Sequence, residues 1–351
     1  MRSNPKITIV IVSHNARHYI QDCLESIYYQ NYPRQCYRVV LVDNNSADST
    51  VGFVKEMFPW VKVIENRTNR GFAEANNQGY FLARKNQADY LVLLNQDTIV
   101  SREWLRHLVD LAESKPKTAA FQPKLLLYPE TTKINSFGNR IHFLGFAYCD
   151  KYRWPDRECQ TAPFDIAYPS GAACLLRMSA LAEVGLLDER LFMYHEDVDL
   201  GWRLRLAGYR VLFDPLAVVY HKYSFSKAKY KFYYMERNRL IVCLETYRVA
   251  TLIVLFPAWL VMELGLLAFA LKNHWLKEKL KGYRWILFHW PSIFSRRLDY
   301  QFKFRRVKDR QLIRLFTGSI EFQEVSYFPL TYVVNPLMEA YLWLVKKIIF
   351  W

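Results

Sequence analysis

The first hundred residues alternate four times between a short apolar run and a helical pattern, which limits the possible folds more than any other feature. The runs are rich in β-branched residues, as is typical of buried strands. They are Ile7–Val12, Tyr37–Val42, Val61–Ile64 and Tyr90–Leu94. This alternation predicts an α/β fold, in which helices cover both faces of a mostly parallel sheet.

Polar side chains follow three of these strands at the point where each strand ends. The clusters are Ser13-His14-Asn15, Asp43-Asn44-Asn45-Ser46 and Asn95-Gln96-Asp97. Because the carboxyl ends of parallel strands share one edge of the sheet, we expect the clusters to form a ligand site there. Asp97 suits a cation that bridges two phosphates, since Mg²⁺ is held by one or two carboxylates and by substrate oxygens. Capping of the next helix is the alternative role.

The less regular segment 120–220 contains two further candidates. Glu196, Asp197 and Asp199 form an acidic cluster at a predicted helix start. Carboxylates there either act as a general base or simply favour the helix dipole. We interpret Asp199 as structural, because Arg203 lies four residues further on. His221 ends a predicted strand segment and is either a metal ligand or a structural group.

Several classes of protein are disfavoured by the motifs that the sequence lacks. None of the six cysteines forms a C-x-x-C pair, and no Cys/His cluster has zinc-ligand spacing, so we expect reduced thiols in a cytosolic compartment. Neither common glycine-rich phosphate loop is present, although Asn69–Asn77 has one glycine at a predicted helix start. The polar start and the short apolar run after it predict no signal peptide.

The last third of the chain differs in charge and hydropathy. From Lys222 onward there are 22 basic and 9 acidic residues, a net charge of +13, against 26 and 24 in the first 221 residues. Val249–Leu271 carries one charge, Glu263, and is long enough to cross a bilayer. A central Glu is unfavourable in a spanning helix and Pro257 would kink it, so a bent helix or helical hairpin lying in one leaflet is an alternative. A buried core helix is the third possibility.

Basic and aromatic residues are interleaved after this apolar segment, as in proteins that bind the surface of an anionic membrane. The cations predicted to meet lipid headgroups are Lys272, Lys277, Lys279, Lys281, Arg284, Arg296 and Arg297.

Taken together and in this order, the motifs resemble those of the inverting family 2 glycosyltransferases with the GT-A fold, most closely their bacterial rhamnosyltransferase-like branch. The resemblance covers about residues 6–240. It implies a Rossmann-like GT-A catalytic domain over residues 1–245, with a nucleotide-sugar half to about 115 and an acceptor half from about 116. A basic, aromatic, helical membrane-association region over 246–351 completes the predicted organisation.

The resemblance also implies a role for individual residues. The residues implied to bind the nucleotide sugar are Ser13, His14, Asn15, Asp43, Asn45, Asn69, Gly71, Asn76, Asn95 and Asp97. Asn95 replaces the first Asp of the family's metal-binding D-x-D motif, so the implied metal ligands are Asp97 and His221. Glu196-Asp197 matches the motif whose Asp is the catalytic base. The implied acceptor-binding residues are Ser170, Gly171, Ala172 and Trp202.

The implied activity is metal-dependent transfer of one sugar with inversion, with Mg²⁺ or Mn²⁺ as cofactor. The best guess for the donor is dTDP-rhamnose, ahead of UDP- and GDP-sugars. The expected acceptor is a polyprenyl-diphosphate saccharide in cell-surface polysaccharide assembly, and the expected location is the cytoplasmic membrane face, as a peripheral or monotopic protein. Gln311–Leu315 lacks the tryptophan of the Q-x-x-R-W motif in processive synthases, so we expect single transfers.

A non-catalytic membrane or nucleic-acid binding protein on a degenerate GT-A fold is the alternative function. It is supported by Asn95 in the metal motif and by the basic last third. The joint presence of Asp97, Glu196 and Asp197 argues against it, because a protein without catalysis needs none of them. The long apolar segments argue against a nucleic-acid partner, which requires exposed basic grooves.

Overall fold

The computed structural model describes residues 4–223, 229–321 and 328–351. Within them the chain packs as two units. The first comprises residues 4–139, 149–201 and 209–223, and the second comprises 140–148, 202–208, 229–321 and 328–351.

A parallel group of strands forms one half of the sheet in the first unit. It consists of β1 (Ile7–Ser13), β2 (Tyr37–Asp43), β3 (Lys62–Glu65) and β4 (Tyr90–Asn95), in the spatial order β4-β1-β2-β3. In the register, Ser13 lies beside Asp43, and Val12 lies beside Asn95. The predicted parallel sheet is therefore confirmed, and the polar clusters begin at the same edge.

Helices α1 (Ile20–Tyr28), α2 (Thr50–Met57), α3 (Gly71–Lys85) and α4 (Trp104–Ser114) lie between or after these strands. Helix α1 buries Ile20, Cys23, Leu24 and Ile27, whose spacing places them on one face of the helix. Tyr28, the next residue, is exposed.

The other half of the sheet is more regular than the sequence indicates. β6 (Thr118–Leu127) and β12 (Arg210–His221) are parallel, and β11 (Ala173–Arg177) runs antiparallel between β6 and β4. The pairing of β12 with β6 has an irregularity between Asp214 and Val218. Proline cannot donate a ladder hydrogen bond, so Pro215 falls at this irregularity.

Short elements complete the first unit and lead into the second. The strands are β5 (Thr98–Val100), β7 (Ile134–Ser136), β8 (Asn139–Ile141), β9 (Ala147–Cys149) and β10 (Phe164–Asp165). The helices are α5 (Met178–Val184) and α6 (Glu196–Leu206). β5 pairs with the end of β12, so that Thr98 lies opposite His221.

The second unit is mostly helical. Its helices are α7 (Lys229–Thr246), α8 (Val249–Lys272), α9 (Leu276–Phe288), α10 (Trp290–Leu298), α11 (Asp309–Ile313) and α12 (Asn335–Ile348). Aromatic rings fill part of its core, where the Trp202 ring meets those of Tyr247 and Phe316 at centroid distances of 5.0 and 4.9 Å. His142 Nε2 lies 2.8 Å from the Gly318 carbonyl oxygen, which fixes an early segment against a late one.

Helix α8 is not a buried core helix, because only 11% of its most apolar 18-residue window is buried. By length and composition, it is also the one helix among the described residues that is capable of crossing a membrane. The buried-core alternative from the sequence is therefore wrong, and the other two remain.

The prediction that Lys279 faces lipid headgroups is wrong. It is 1% exposed, and its Nζ lies 2.7 Å from Glu236 Oε2 and 2.9 Å from Glu263 Oε2. Arg296 and Arg297 are half-buried and bond to the Tyr300 hydroxyl and the Leu244 carbonyl. Lys272, Lys277, Lys281 and Arg284 are exposed as expected.

Candidate active site

The loops that follow β1 and β2 are bonded to each other. Ser13 Oγ donates to Asp43 Oδ1 at 2.9 Å, and the Ser46 amide donates to Asp43 Oδ2 at 2.9 Å. Asn15 and Asn45 have positive φ angles of 51° and 65°, a conformation that Asn adopts more readily than most residues. The result is an ordered, polar double loop at the sheet edge. Binding of a nucleotide sugar by Ser13, Asn15, Asp43 and Asn45 stays a prediction.

His14 and Gln96 connect this double loop to the cluster after β4. The His14 amide donates to Gln96 Oε1 at 2.8 Å, while His14 Nδ1 lies 3.0 Å from the Asn44 carbonyl oxygen. The three predicted clusters are thus brought together, as expected from the strand register.

The Asn69–Gly71 segment contacts both the double loop and the segment that precedes Glu196. Asn69 Oδ1 accepts from the Gly71 amide at 2.9 Å, and Asn44 Nδ2 donates to the Gly71 carbonyl at 2.9 Å. Gly71 has a φ of +81°, and a Cβ there would lie 2.5 Å from the Phe192 ring. The Phe192 carbonyl in turn accepts from the Phe72 amide at 2.7 Å. Glycine is therefore required at this contact.

Asn76 lies inside α3 and is buried. It is 2% exposed, and its Nδ2 donates to the Phe72 carbonyl oxygen at 2.9 Å. Its side chain supports the helix in this structure, so direct contact with a sugar nucleotide would require a rearrangement.

Asp97 does not cap a helix. The strand β5 follows it directly, and the next helix begins at Trp104 with Glu103 in the capping position. Asp97 Oδ1 instead lies 3.3 Å from His221 Nε2, because the pairing of β5 with β12 brings the two residues together. The capping alternative is therefore wrong. The two residues predicted as metal ligands lie side by side, and their role as ligands stays a prediction.

Asn135 orients the His221 ring and was not predicted from the sequence. Its Oδ1 lies 2.9 Å from His221 Nδ1, while its own Nδ2 has no hydrogen-bond partner. When Nδ1 carries the proton and donates to Asn135, Nε2 presents a lone pair toward the Asp97 carboxylate. The Nε2 lone pair of His221 and the carboxylate of Asp97 then face each other as two acceptors, which is favourable only when a cation or a proton lies near both. The arrangement therefore fits a divalent ion.

Such an ion would need further ligands from outside the protein. Among the described residues, no group of three or more His, Cys, Asp or Glu side chains is placed to hold a metal. Two protein ligands suit Mg²⁺ or Mn²⁺ when phosphate oxygens complete the shell. The donor set therefore fits a cation that binds together with a diphosphate.

Asp197 is held by backbone amides at the start of α6. Its Oδ2 accepts from the Gly171 amide at 2.9 Å, and its Oδ1 accepts from the Val198 amide at 2.8 Å. Burial nevertheless raises the pKa of Asp197 to about 6, since these hydrogen bonds only partly offset the lost hydration. At neutral pH the carboxylate is mostly ionised and is able to accept a proton.

Glu196 differs from its neighbour in having an unsatisfied atom. It is 6% exposed, and its Oε2 is buried without a hydrogen-bond partner. Burial and, secondly, the charge of Asp197 raise the pKa of Glu196 well above its usual value of 4.5. Two adjacent buried carboxyls do not readily ionise together, so Glu196 keeps its proton while Asp197 is charged.

The backbone before this pair is strained. Phe192 has φ 64° and ψ −62°, and the Met193 amide donates to the Leu191 carbonyl at 2.7 Å, which makes a tight γ-turn. Tyr194 and His195 also have positive φ angles, of 65° and 66°. Each such residue costs about 1–3 kcal/mol, and strain of this kind clusters at functional sites.

The Ser170-Gly171-Ala172 loop is hydrogen-bonded both to the end of β4 and to Asp197. The Asn95 amide donates to the Ala172 carbonyl at 2.8 Å, while Gly171 contacts Asp197 as described above. Gln122 Oε1 accepts from the Ser170 amide at 2.9 Å and fixes the other end. Trp202, the fourth predicted acceptor residue, is 1% exposed and belongs to the core of the second unit, so its indole offers an acceptor no surface here.

Comparison with known proteins finds relatives of this chain. The model of the family described as glycosyl transferase family 2 matches residues 8–185. An N-acetylglucosaminyl-diphospho-decaprenol L-rhamnosyltransferase of Mycobacterium tuberculosis is 29% identical over 211 residues, which cover 54% of this chain and 68% of that protein. A poly-beta-1,6-N-acetyl-D-glucosamine synthase of Staphylococcus aureus is 26% identical over 215 residues, covering 60% of this chain and 48% of the synthase. The match thus spans about half the length of that synthase.

Among solved structures, the fold is similar to that of GalNAc-T7 in complex with UDP, GalNAc and Mn²⁺. The TM-score is 0.54 at 17% identity, and the match covers 69% of this chain and 48% of that one. This likeness shows the GT-A fold that the sequence motifs predict.

Proposed function

Because the chain belongs to glycosyl transferase family 2, we propose that it transfers one sugar, with inversion, from a nucleotide-diphosphate donor to a lipid-linked saccharide. The family supports a glycosyltransferase, whereas inversion, transfer of a single sugar, the donor, the acceptor and the metal are all proposed. The rhamnosyltransferase relative supports rhamnose as the sugar and a polyprenyl-diphosphate saccharide as acceptor, and we take dTDP-rhamnose as the donor. The poly-beta-1,6-N-acetyl-D-glucosamine synthase relative supports a place in polysaccharide assembly. The cytoplasmic face of the membrane is the proposed location.

One observation carries the proposal: the loop Ser170–Ala172 is bonded on one side to Asn95 and on the other to Asp197. The hydrogen bond from Asn95 to the Ala172 carbonyl is 2.8 Å, and that from Gly171 to Asp197 is 2.9 Å. The loop therefore joins Asn95, proposed to bind the nucleotide sugar, to Asp197, proposed to accept a proton. That juxtaposition is what a direct displacement requires.

The chemistry of the step follows from these residues. Asp197 accepts the proton of an acceptor hydroxyl as its oxygen attacks the anomeric carbon. The bond from that carbon to the diphosphate oxygen breaks on the opposite face, so that configuration inverts and no enzyme nucleophile is needed. Asp97 and His221 would hold a divalent cation, which neutralises charge on the departing diphosphate. Glu196, being protonated, leaves Asp197 as the only anion of the pair.

The test is transfer by the full-length protein, with Mg²⁺ or Mn²⁺ and a polyprenyl-diphosphate saccharide. dTDP-rhamnose is compared with UDP- and GDP-sugars, and the anomeric configuration of the product is determined by NMR. We expect transfer from dTDP-rhamnose with inversion. Product of retained configuration would contradict the mechanism, and transfer only from another donor would contradict the assigned sugar. Binding of nucleic acid without turnover of any donor would favour the non-catalytic alternative.

A further inference from the structure

We propose that the second unit is a monotopic anchor for an anionic bilayer. Helix α8 lies parallel to the membrane surface, with its exposed apolar face in one leaflet and its other face packed on the second unit, and it does not cross the bilayer. The inference rests on the proposed function only in placing the enzyme at a membrane. It settles the choice that the sequence leaves open between a spanning and an in-leaflet helix.

Helix α8 has one face on protein and one face free along its whole length. The buried face consists of Thr251, Leu255, Ala258, Met262 and Ala270. The exposed large apolar residues are Val249, Ile253, Phe256, Leu260, Val261, Leu264 and Leu271. A helix of this kind needs apolar surroundings on one side only, which an interfacial position supplies.

Charges at the middle of α8 argue against a crossing. Glu263 pairs with Arg239 of α7 and with Lys279 of α9, and it accepts a hydrogen bond from the Tyr283 hydroxyl. Arg239 and Lys279 also pair with Glu236, so two buried anions are balanced by two buried cations. In a spanning helix this position would lie about 20 Å from the start, near the bilayer centre. The whole cluster would then have to enter hydrocarbon.

The neighbour of α8 strengthens this argument. Helix α9 carries five charged residues among its 13: Lys277, Glu278, Lys279, Lys281 and Arg284. Because α9 is bonded to α8 through Lys279 and Tyr283, the two would have to enter the bilayer together. Exposed lysines at hydrocarbon depth are strongly unfavourable, whereas at the headgroup level they are attracted to anionic lipid.

The start of α8 is tied to the same unit. The Thr251 hydroxyl bonds to the Trp351 indole at 2.8 Å and to Asp309 Oδ2 at 2.5 Å, and Asp309 is fully buried and paired with Arg305. The Tyr341 hydroxyl donates to the Val254 carbonyl at 2.5 Å. Polar attachments at the start and at the middle therefore keep α8 against its own unit.

Large apolar residues are also exposed on other helices of the second unit. Those exposed on α9, α10 and α12 include Leu287, Phe288, Trp290, Phe294, Leu337, Trp343 and Leu344. The net charge of +13 from Lys222 onward favours an anionic leaflet over a second copy of the chain, since two such surfaces would repel each other.

The test is the accessibility of both ends of α8 in the full-length protein, expressed in a bacterial host. The partly exposed Cys36, Cys149 and Cys159 are replaced by Ser, and single cysteines are introduced as Arg248→Cys and Asn273→Cys. A membrane-impermeant maleimide is applied to spheroplasts and to inverted vesicles, with Lys85→Cys as the marker for the first unit. We expect all three cysteines to react in inverted vesicles and none in spheroplasts. Reaction of the two helix ends from opposite sides would overturn the proposal.

Vesicle binding tests the lipid partner separately. The purified protein should bind vesicles containing phosphatidylglycerol more tightly than phosphatidylcholine vesicles. Leu260→Gln and Leu264→Gln should each weaken binding about tenfold. The control Leu216→Gln, at an exposed leucine of the first unit, should leave binding unchanged. A detergent-free, soluble dimer that does not bind vesicles would show that a second copy covers the surface and would overturn the proposal. Neither experiment measures sugar transfer, so both test the anchor even if the proposed function is wrong.

Discussion

At the scale of single residues, the site depends on a difference between two adjacent carboxyls. Asp197 accepts hydrogen bonds from two backbone amides. Glu196 is more deeply buried, and its Oε2 has no hydrogen-bond partner. We predict that Asp197→Asn lowers kcat by about 10²–10⁴-fold, because the general base is lost. Donor affinity, measured by calorimetry, should change little. Glu196→Gln should keep most activity, since a neutral amide resembles a protonated carboxyl; the reverse pattern would assign the base to Glu196.

The same group sets the pH dependence. Asp197 must be ionised to accept a proton, and burial raises its pKa to about 6. kcat/KM should therefore be level above that pH and fall about tenfold for each unit below it. The inflection should persist in Glu196→Gln. A profile that stays flat down to pH 5 would contradict the role of Asp197, provided that circular dichroism shows the fold intact.

Asp97 and His221, the proposed metal ligands, predict that transfer depends on a divalent cation. We expect excess EDTA to abolish transfer and added Mg²⁺ or Mn²⁺ to restore it. Asp97→Ala should remove the part of donor binding that depends on metal, and His221→Ala should weaken it less, because a hard cation prefers carboxylate oxygen to imidazole. Asn135→Ala should resemble His221→Ala in donor affinity, since Asn135 orients that ring. Full activity in EDTA would contradict the metal assignment.

At the scale of elements, the start of α3 is coupled to the strained turn before Glu196. Gly71→Ala would place a methyl group 2.5 Å from the Phe192 ring at a φ of +81°. We predict a loss of about 1–3 kcal/mol in the free energy of unfolding together with a fall in kcat, because the displaced turn carries Asp197 with it. Urea unfolding and steady-state kinetics measure the two effects.

Gly52 in α2 provides the matched control for this prediction. A Cβ at Gly52 would meet nothing within 4 Å, and its φ is not in the left-handed region. Gly52→Ala should therefore be neutral or stabilise the protein by about 0.5–1 kcal/mol, with unchanged kinetics. Equal behaviour of the two alanine variants would show that the contact between Gly71 and Phe192 has no special role.

At the scale of the whole molecule, the second unit combines early segments of the chain with its late helices. Residues 140–148 and 202–208 belong to it, although they precede its helices in sequence. His142 bonds to the Gly318 carbonyl, the Tyr148 hydroxyl donates to the Ser319 carbonyl at 2.9 Å, and Trp202 packs on Phe316. These early segments therefore need the late ones for a complete core.

We accordingly predict that a chain ending at Arg248 does not fold. Removal of residues 249–351 would expose Trp202 and leave His142 and Tyr148 without their carbonyl partners. The expected result is insoluble protein or loss of near-ultraviolet circular dichroism. In contrast, the full-length chain with Leu260→Gln and Leu264→Gln should stay folded, since both leucines are exposed. A soluble, active fragment of residues 1–248 would contradict the prediction.

Local patterns in the sequence determined the parallel half of the sheet and the identity of its polar edge. β-branched runs specify strands through local sterics and burial, and the polar residues after them lie at one edge for any parallel pairing. Asp97 and Asp197 were therefore identifiable as candidates from the sequence, and the family motifs supported both.

Only the tertiary structure decided which side chains meet across long separations. Asn135 reaches His221 over 86 positions, and Phe192 closes on Gly71 over more than a hundred. Lys279 was predicted to contact lipid headgroups and Trp202 to bind the acceptor, yet both side chains are buried. The physical reason is that burial of a charge or an indole depends on the partners that the fold supplies, here Glu236 and Glu263 for Lys279, and a local pattern contains no information about them.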